Sequence, residues 1–281
     1  SQVSSEAPMN VPKAYVTTDA PVLVREHDND VAILVLNRPQ TRNSLTEEML
    51  TALSAALTDV ATDRTVRTVV IAANGPAFCA GHDLKELTSR RRDADGGRAY
   101  FRYIMTMCSA MMQQMVNLPQ PVVAAVQGMA TAAGCQLVAS CDLAVASVNA
   151  KFATPGVDIG LFCSTPMVAL SRNVTRKHAM EMLLTGDAAS AEDAYRMGLV
   201  NRVVPAGKER EEALAFAHKI ASKSSHTVKI GKEGFYRQAE MSLSRAYEYV
   251  SEVMVENLMA RDAEEGLKAF IDKREPRWED R

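Results

Sequence analysis

The stretch "PVVAAVQGMATAAGCQLVASCDLAVAS", residues 121–147, indicates the type of fold. It contains two short apolar runs, "PVVAAVQG" and "DLAVAS", which are typical of strands covered on both faces. Between them, "AAGCQLVAS" (132–140) predicts a helix that begins with small residues. A strand, a helix and a second strand in this order predict parallel strands joined by a crossover helix.

The same alternation extends toward the N-terminus. Two β-rich runs, residues 22–25 and 31–36, flank the turn-forming segment "EHDND" and predict a hairpin. Thr46 followed by Glu47 and Glu48 predicts the start of a helix that ends near residue 62, because threonine caps helices and acidic residues favour the first turn. The run "VRTVVIAA" (66–73) predicts another buried strand. Together these elements predict an α/β fold with a mainly parallel sheet.

After Phe152 the pattern becomes helical. Periodic segments predict a series of helices, and only "LVNRVVP" (199–205) resembles a strand. The sequence therefore predicts three parts: a flexible polar segment over residues 1–20, a core over residues 21–205 and a helical subdomain over residues 206–281. The last of these is so charged and amphipathic that we expect it to pack on its own core or on neighbouring subunits.

Composition excludes several classes of function. The 281 residues carry a formal net charge of −2 without a basic stripe, which argues against a nucleic-acid partner. No apolar run is long enough to cross a membrane. Five cysteines without CxxC spacing predict reduced, buried thiols. No cluster with metal-ligand spacing is visible, so no metal is expected.

Two glycine-rich loops each follow a predicted buried strand and open a helix. They are "PAFCAGHDLKEL" (76–87) and "QGMATAAGCQL" (127–137). The unpaired N–H groups at a helix start carry partial positive charge, so the backbone N–H groups of His82 and Ala133 could hold a developing oxyanion. Small residues at a helix start also serve tight helix–sheet packing, so the pattern by itself leaves both interpretations open.

The loops and three further motifs identify a family resemblance. With "NRPQTRNSL" (37–45), "FATPGVDIGL" (152–161) and "EGLKAFIDKREPRW" (265–278), the chain resembles the crotonase (enoyl-CoA hydratase/isomerase) superfamily from about residue 22 to residue 278. The resemblance implies a crotonase-like spiral of ββα turns, a C-terminal helical trimerisation subdomain, and homotrimers or dimers of trimers. It also implies a lyase or isomerase that holds the oxygen of a CoA thioester between the His82 and Ala133 N–H groups.

The resemblance also implies where CoA would lie. CoA would be part of an acyl-CoA substrate, so no separate cofactor is expected. The protein would lie in the cytoplasm of a bacterium or in the mitochondrial matrix of a eukaryote. Arg42 and Lys273 could instead be solvated surface charges, although basic side chains suit the phosphates of CoA. The residues implied along the pantetheine and adenine are Arg42, Ser44, Ala80 and Lys85. The residues implied where a neighbouring subunit reaches the nucleotide are Phe270 and Lys273.

The sequence departs from the family pattern at the positions that carry the acid–base chemistry. Hydratases of this family place one glutamate on the helix after the second loop and another in an "FGxPE" context. Here the first position is Gln136 and the second is Gly156. Hydration needs groups that can take up and release a proton, and neither replacement can do so at neutral pH.

Four kinds of side chain could replace the missing carboxylates. His82 has an ordinary pKa near neutrality, yet it could equally be a packed histidine. Asp158 follows Gly156 by two residues, but it could cap a helix or face solvent. Cys135 and Cys163 have no activating neighbour in the sequence, which favours structural thiols. Ser164 would need a partner base. The proposed catalytic set is therefore His82, Ala133, Gln136 and Asp158.

Three hypotheses of function follow. The first is an acyl-CoA enzyme with an altered reaction on a thioester, such as isomerisation, hydrolysis or an unusual hydration. The second is a non-catalytic acyl-CoA-binding or regulatory protein, which the loss of both glutamates favours. The third is a scaffold that retains only the fold, and the intact "FCAGHDLKEL" and "RNSL" motifs argue against it.

Overall fold

Two sheets organise the computed structural model, which describes residues 20–281. The predicted flexible segment over residues 1–20 therefore lies outside the described residues, apart from Ala20. The strands are β1 (Leu23–Asp28), β2 (Val31–Leu36), β3 (Thr68–Ala73), β4 (Val122–Val126), β5 (Met129–Thr131), β6 (Leu143–Ser147), β7 (Lys151–Ala153), β8 (Ala189–Ser190) and β9 (Arg202–Val204).

The larger sheet has six strands in the order β1-β2-β3-β4-β6-β9. Strands β1 and β2 pair antiparallel, and every later neighbour pairs parallel, which confirms the prediction of a mainly parallel sheet. Strand β1 runs on to Asp28, beyond the predicted end at residue 25. Only Asn29 and Asp30 make the turn, because Asn29 adopts a positive φ of 54° that a tight hairpin requires.

Strand β3 is buried on both faces, as its sequence predicts. Val69 and Ile71 belong to the main hydrophobic core, whereas Val70 and Ala72 belong to a second core on the opposite face of the sheet. Alternate residues of a strand point to opposite faces, so one apolar run fills two cores.

The helices follow the predicted alternation and then the predicted helical series. Thr46 caps the first helix by accepting a hydrogen bond from the Met49 N–H at 3.1 Å. The helices are α1 (Glu47–Thr62), α2 (Leu84–Ser89), α3 (Arg98–Val116), α4 (Ala133–Ser140), α5 (Pro166–Ser171), α6 (Arg176–Thr185), α7 (Ala191–Met197), α8 (Glu209–Ala221), α9 (Ser225–Gln238), α10 (Leu243–Met259) and α11 (Arg261–Ile271).

The smaller sheet, in the order β5-β7-β8, is absent from the sequence prediction. Its strands have three, three and two residues, which is too short for an alternating pattern to emerge. Strand β5 lies inside the second glycine-rich loop, and β7 pairs with it in parallel. This pairing brings the "FATPG" segment beside the start of α4.

The C-terminal helices join the core in two ways. Helix α8 packs on the large sheet and buries Ala213 and Ala217 in the second core. Helix α9 is held by Lys232, whose Nζ lies 2.8 Å from Oδ2 of Asp142. The Tyr236 hydroxyl donates to the other oxygen of that carboxylate at 2.6 Å.

Helices α10 and α11 present an apolar surface. No residue of α10 is buried, although much of the helix is hydrophobic. Among the described residues, no helix combines the length and apolar character needed to cross a membrane. The large exposed side chains on these two helices are Leu243, Tyr247, Met254, Val255, Leu258, Met259, Leu267, Phe270 and Ile271.

Candidate active site

The two glycine-rich loops meet at Gly81. A Cβ atom on Gly81 would lie 3.1 Å from the Ala133 nitrogen and 3.0 Å from the carbonyl oxygen of Thr131. The residue also has a φ of +84°, which favours glycine. The next residue is His82, so the part of the first loop that carries the His82 amide lies beside the start of α4, which carries the Ala133 amide.

A second close contact, between Gly134 of helix α4 and Cys79 of the first loop, sets how tightly the helix packs on that loop. A Cβ atom on Gly134 would lie only 2.0 Å from the Cys79 carbonyl oxygen. The Thr131 N–H donates to that same oxygen at 3.0 Å. A larger residue at position 134 would push the helix start away from the loop, so the small residues here serve packing as well as access to the backbone.

The amides of His82 and Ala133 are free to bind an anion. Neither N–H donates a hydrogen bond to any described residue. Ala133 is the first residue of α4, where backbone N–H groups have no partner within the helix. Two unpaired donors at the meeting point of the loops form a candidate oxyanion hole.

Ala132 holds the turn before α4 in a strained conformation. Its φ and ψ are 52° and −120°, a region that residues other than glycine rarely adopt. The surrounding structure enforces it, since the Ala132 N–H donates to the Ala153 carbonyl at 2.9 Å. Such strain costs about 1–3 kcal/mol and is characteristic of functional sites.

The "RNSL" turn supports the first loop. The Leu45 N–H donates to the Gly81 carbonyl at 2.7 Å, and the Ala80 N–H donates to the Arg42 carbonyl at 3.0 Å. Asn43 is fully buried, and its amide donates to the carbonyls of Asn74 at 2.9 Å and Ala77 at 3.0 Å. The resemblance placed the segment 42–44 along CoA; in the structure the Asn43 side chain ties the "RNSL" turn to the segment that leads into the first loop.

The predicted CoA-binding residues divide by position. Arg42 is exposed, and its carbonyl accepts a hydrogen bond from the N–H of Ala80, a half-buried residue of the first loop. Ser44 is buried, and its Oγ has no hydrogen-bond partner among the described residues. Lys85 is exposed on α2, directly after that loop. Phe270 lies on α11, which packs on α9 and α10. Its side chain is 84% exposed and is therefore accessible at the surface. Lys273 follows the helix and is also exposed.

His82 is uncharged at neutral pH. Burial lowers the pKa of its imidazole, and the opposing effect of the Leu45 backbone is smaller. Both ring nitrogens are shielded from solvent; the Leu45 backbone lies near enough to act on the imidazole, but neither ring nitrogen makes a hydrogen bond of good geometry with a described residue. A neutral imidazole with two unpartnered nitrogens can both donate and accept a hydrogen bond.

The two positions of the missing carboxylates differ in their surroundings. Gln136 is buried, with 5% of its surface exposed, and its Oε1 has no partner among residues 20–281. At Gly156 a Cβ atom would lie 3.1 Å from Sγ of Cys163 and 3.2 Å from the carbonyl oxygen of Leu161. The turn over residues 161–163 therefore occupies the space that a side chain at 156 would need.

Asp158 does not replace the carboxylate at this position. It is exposed, and its carboxylate oxygens lie against Gly186, where a Cβ atom would be 3.0 Å from both of them. Gly186 ends helix α6, so the Asp158 side chain points to a helix end. The structure therefore places Asp158 away from the loops that carry His82 and Ala133, and its catalytic assignment stays a prediction without support from this geometry.

The cysteines are poor nucleophiles. All five are free and buried, which confirms the prediction of buried thiols. Burial raises the pKa of Cys135 to about 12 and also raises the pKa of Cys163. A thiol must lose its proton to react, so both remain unreactive at neutral pH.

Open pockets lie elsewhere. One pocket of about 560 Å³ lies on the outer face of α3 and is lined by Arg98, Phe101 and Arg102, among others. Another, of about 660 Å³, lies between the start of β1 and α1.

Comparison with known proteins assigns the chain to a family. A family model described as enoyl-CoA hydratase/isomerase matches residues 26–281. The chain belongs to the enoyl-CoA hydratase/isomerase family. The matched region includes both loops, the "RNSL" turn, the "FATPG" segment and the C-terminal helices.

Individual relatives of this family agree in sequence and in fold. The mitochondrial enoyl-CoA hydratase domain-containing protein 3 of Xenopus laevis is 48% identical over 258 residues, which cover 92% of this chain and 86% of the relative. The crystal structure of the human protein of that name is 46% identical with a TM-score of 0.87, covering 92% of this chain and 100% of that one. An enoyl-CoA hydratase structure from Mycobacterium smegmatis is 50% identical with a TM-score of 0.87, covering 92% and 99%.

These comparisons confirm the predicted crotonase-like fold and family. They also agree with the motifs "HDLKEL" and "FATPG", which resemble those of the enoyl-CoA hydratase domain-containing protein 3 branch. Within the enoyl-CoA hydratase/isomerase family, the site combines free oxyanion donors with uncharged residues at both positions where hydratases carry glutamate.

Sequence reasoning overlooked one polar residue of this site. Thr154 is completely buried, and its Oγ1 has no hydrogen-bond partner among the described residues. It directly follows β7, two residues before Gly156. A hydroxyl residue inside the apolar "KFATPG" segment was the available signal, but only the pairing of β7 with β5 places it beside the start of α4.

Proposed function

We propose that the protein binds acyl-CoA thioesters and polarises the thioester carbonyl between the backbone N–H groups of His82 and Ala133. The meeting of the two loops at Gly81 supports this proposal, because it leaves two unpaired donors side by side. Such donors stabilise negative charge on an oxygen without having to reorganise. The proposed reactions are those that pass through an enolate or a tetrahedral oxyanion on the acyl group.

Efficient hydration of a simple enoyl-CoA is not part of this proposal. Each general acid or base contributes about 10²–10⁴-fold to a rate, and both glutamates are replaced. Gln136 cannot ionise, and the 161–163 turn fills the space beside Gly156. His82 directly follows Gly81, where the loops meet, and its neutral imidazole can accept a proton from a bound group, although burial lowers its pKa and so weakens it as a base.

The CoA portion would lie along the first loop and the "RNSL" turn. Arg42, Ser44, Ala80 and Lys85 are the binding residues in this proposal. A neighbouring subunit would add Phe270 and Lys273 at the nucleotide, which fits the exposure of the end of α11. The exposed apolar surface of α10 and α11 would be buried in a homotrimer or a dimer of trimers.

A second candidate function is a non-catalytic acyl-CoA binder that regulates or buffers CoA esters. The packing around Gly156 favours it, since even a Cβ atom at this position would make tight contacts with the 161–163 turn. The two candidates share the oxyanion hole and differ only in whether a bound thioester is consumed.

Calorimetric titration tests the shared part of the proposal. The ligands are butyryl-CoA, the S-butyl-CoA thioether that lacks the carbonyl, and free CoA. We expect the thioester to bind about tenfold tighter than the thioether, since one charge-assisted or well-placed hydrogen bond is worth about 1.4 kcal/mol. Equal affinity would reject the oxyanion hole, and the absence of any binding would reject the acyl-CoA function itself.

Turnover then separates the two candidates. Wild-type protein is incubated with a panel of saturated, enoyl and hydroxyacyl thioesters, and both the free thiol and the acyl products are measured. Consumption of any thioester that is lost in His82→Gln would assign an enzyme with His82 as its proton acceptor. Binding without consumption of any thioester would support the regulatory candidate.

A further inference from the structure

One asparagine of the sequence is followed by glycine, in the pair Asn74–Gly75 directly after strand β3. None of the other nine asparagines precedes a glycine. Asparagine is a thermolabile residue, and a following glycine leaves its own backbone nitrogen unshielded because it carries no side chain. Such a nitrogen can attack the amide carbon of the asparagine, so the pair is a candidate site of spontaneous chemical modification.

The surroundings of the pair leave both reacting groups accessible. Asn74 and Gly75 are exposed, and the Gly75 N–H donates no hydrogen bond to any described residue. Within residues 20–281 the Asn74 side chain makes one hydrogen bond, from its Nδ2 to Oδ1 of Asn37 at 3.0 Å. Neither the attacking nitrogen nor the amide carbon is therefore enclosed by packing.

Position 75 requires glycine. Its φ of +86° lies in the left-handed region, and a Cβ atom there would lie 2.4 Å from Cβ of Pro39. The ring of Pro39 is rigid, so a larger residue at position 75 would have to displace the turn that contains this proline. Tertiary packing thus retains the half of the pair that makes Asn74 reactive.

The carbonyls of the pair hold the segment that enters the first glycine-rich loop. The Asn74 carbonyl accepts a hydrogen bond from Nδ2 of the buried Asn43 at 2.9 Å, and the Gly75 carbonyl accepts one from Nε2 of Gln127 at 2.9 Å. The same two side-chain amides donate to the Ala77 carbonyl, each at 3.0 Å. Asn43 belongs to the "RNSL" turn and Gln127 to the second glycine-rich loop, so the segment is held from both sides.

We propose that Asn74–Gly75 is a site of spontaneous deamidation, and that isoaspartate formed there loosens the first glycine-rich loop. The Gly75 nitrogen gives up its proton to solvent and forms a bond to Cγ of Asn74. The Cγ–Nδ2 bond breaks, and Nδ2 takes up a proton from solvent and leaves as ammonia. One water molecule then opens the resulting five-membered succinimide at either carbonyl, which gives aspartate or isoaspartate.

Aspartate at position 74 would lose the contact with Asn37. A carboxylate has no donor for Oδ1 of Asn37. The Asn37 amide is held in its orientation, because its Nδ2 donates to the Pro21 carbonyl at 3.0 Å. The new carboxylate would therefore face an amide oxygen.

Isoaspartate has a larger effect on the loop. It adds a methylene group to the main chain between residues 74 and 75. It also converts the carbonyl that accepts the hydrogen bond from Asn43 into a free carboxylate. The contacts from Asn43 and Gln127 cannot all keep their geometry after this change. The modification itself is independent of the proposed acyl-CoA function, whereas its effect on thioester binding rests on that function.

Peptide mapping tests the site. Folded protein is aged in a mildly alkaline buffer and digested with trypsin in a mildly acidic one, and the peptide 68–85, in which Asn74 is the one asparagine, is analysed by mass spectrometry. We expect a growing fraction in which the amide has become a carboxyl, most of it labelled by an isoaspartyl methyltransferase. Asn149, an exposed asparagine followed by alanine, is the internal control and should stay unchanged.

Asn74→Gln is the matched variant. It keeps a side-chain amide, but its attack would require a six-membered ring, which forms far more slowly, so we expect no methyl label on peptide 68–85. The deamidated wild-type fraction, separated by ion exchange on its additional negative charge, is expected to melt lower than fresh protein. Aged Asn74→Gln should melt as it does when fresh.

Calorimetric titration of the same fractions measures the effect on the loop that carries the His82 amide. Fresh protein is expected to bind butyryl-CoA about tenfold tighter than the S-butyl-CoA thioether. The deamidated fraction should lose most of this advantage, while aged Asn74→Gln should retain it.

The outcomes are distinct. Unmodified peptide 68–85 from aged folded protein would overturn the site, and modification of urea-unfolded protein under the same conditions would show that the fold protects the pair. Isoaspartate without a change in melting temperature or in the advantage of the thioester would overturn the loosening of the loop. Fresh protein that binds no ester would reject the proposed acyl-CoA function, while the methyl label and the melting temperature would still decide the inference.

Discussion

Sγ of Cys163 lies 3.1 Å from the point that a Cβ atom on Gly156 would occupy. The Cys163 nitrogen and the Leu161 carbonyl oxygen lie at 3.2 Å from the same point. The glycine at the second position is thus tightly packed, so that even a Cβ there would require its neighbours to move by a few tenths of an ångström. The first position, Gln136, keeps a polar side chain of similar size.

Substitution of Gly156 by alanine is expected to destabilise the protein by about 1–3 kcal/mol, the usual cost of overpacking a well-filled site. Urea unfolding measures it. Gly231→Ala is the matched control, because a Cβ at this helical position meets nothing within 4 Å. That control is expected to gain about 0.5–1 kcal/mol from higher helix propensity. A neutral Gly156→Ala variant would contradict the packing argument.

Restoring both carboxylates is expected to leave the protein inactive as a hydratase. In Gln136→Glu/Gly156→Glu, the second glutamate must displace the 161–163 turn, so the acid–base pair cannot take up its working geometry. Loss of enoyl absorbance from crotonyl-CoA measures the rate, with single Gln136→Glu as the control. Strong hydration by the double variant would show that the turn yields easily.

Replacing Ala132 by glycine is expected to stabilise the protein. Glycine adopts a φ of 52° with a ψ of −120° without strain, which releases about 1–3 kcal/mol against about 0.5–1 kcal/mol of added chain entropy. Ala139→Gly, in the last turn of the helix that follows Ala132, lacks such strain and is expected to lose about 1 kcal/mol. Thermal unfolding of the two variants should move in opposite directions, and a parallel loss would refute the strain.

The Lys232–Asp142 pair, whose side chains are only 7% and 16% exposed, is expected to be costly to break. Burial lowers the pKa of Lys232 while Asp142 opposes that shift, so the ammonium is retained only through its partners. Lys232→Met leaves the Asp142 carboxylate buried without a cation, which costs about 3–5 kcal/mol. Tyr236→Phe removes a single hydrogen bond and should cost about 1–3 kcal/mol.

The control for this prediction is an exposed pair. Arg172→Met breaks the contact with Glu240 at 3.2 Å between two exposed side chains, and it is expected to cost less than about 1 kcal/mol. Chemical denaturation of all three variants gives the ranking. Equal losses for Lys232→Met and Arg172→Met would disprove the anchoring role of the buried pair.

Acid should weaken the C-terminal tail through Asp262. Burial tends to raise the pKa of its carboxyl, but hydrogen bonds from the Glu279 N–H, Ser224, Arg261 and the Asp280 N–H outweigh it and lower the pKa to about 2. A lowered pKa means that the ionised form stabilises the fold above the ordinary range of aspartate, near pH 4. That contribution is lost as the pH falls from about 4 through 2.

Melting temperatures of wild type and Asp262→Asn between pH 7 and pH 2 test this prediction. The variant is expected to melt lower at pH 7 and to change less on acidification, so that the two curves converge near pH 2. Parallel curves over the whole range would mean that Asp262 does not carry the acid sensitivity.

The strands and helices of the core could be read from the sequence because each is long enough to carry its own pattern. Strand β3 shows an unbroken apolar run, and α1 shows both a cap and a periodic buried face. The strands β5, β7 and β8 could not be predicted in this way, since two or three residues in extended conformation are too few to show a periodicity. Their pairing depends on contacts between segments that are distant in the chain.

The candidate site divides along the same line. The two loops, the family motifs and the absence of both glutamates could be predicted, because these are properties of residue type and spacing. Contacts between distant segments were needed to show that the first loop meets the start of α4 at Gly81, that the Asp158 carboxylate lies against Gly186 at the end of α6, and that Cys163 packs against Gly156. They also revealed Thr154, since burial without a hydrogen-bond partner arises from tertiary packing and leaves no mark in the local sequence.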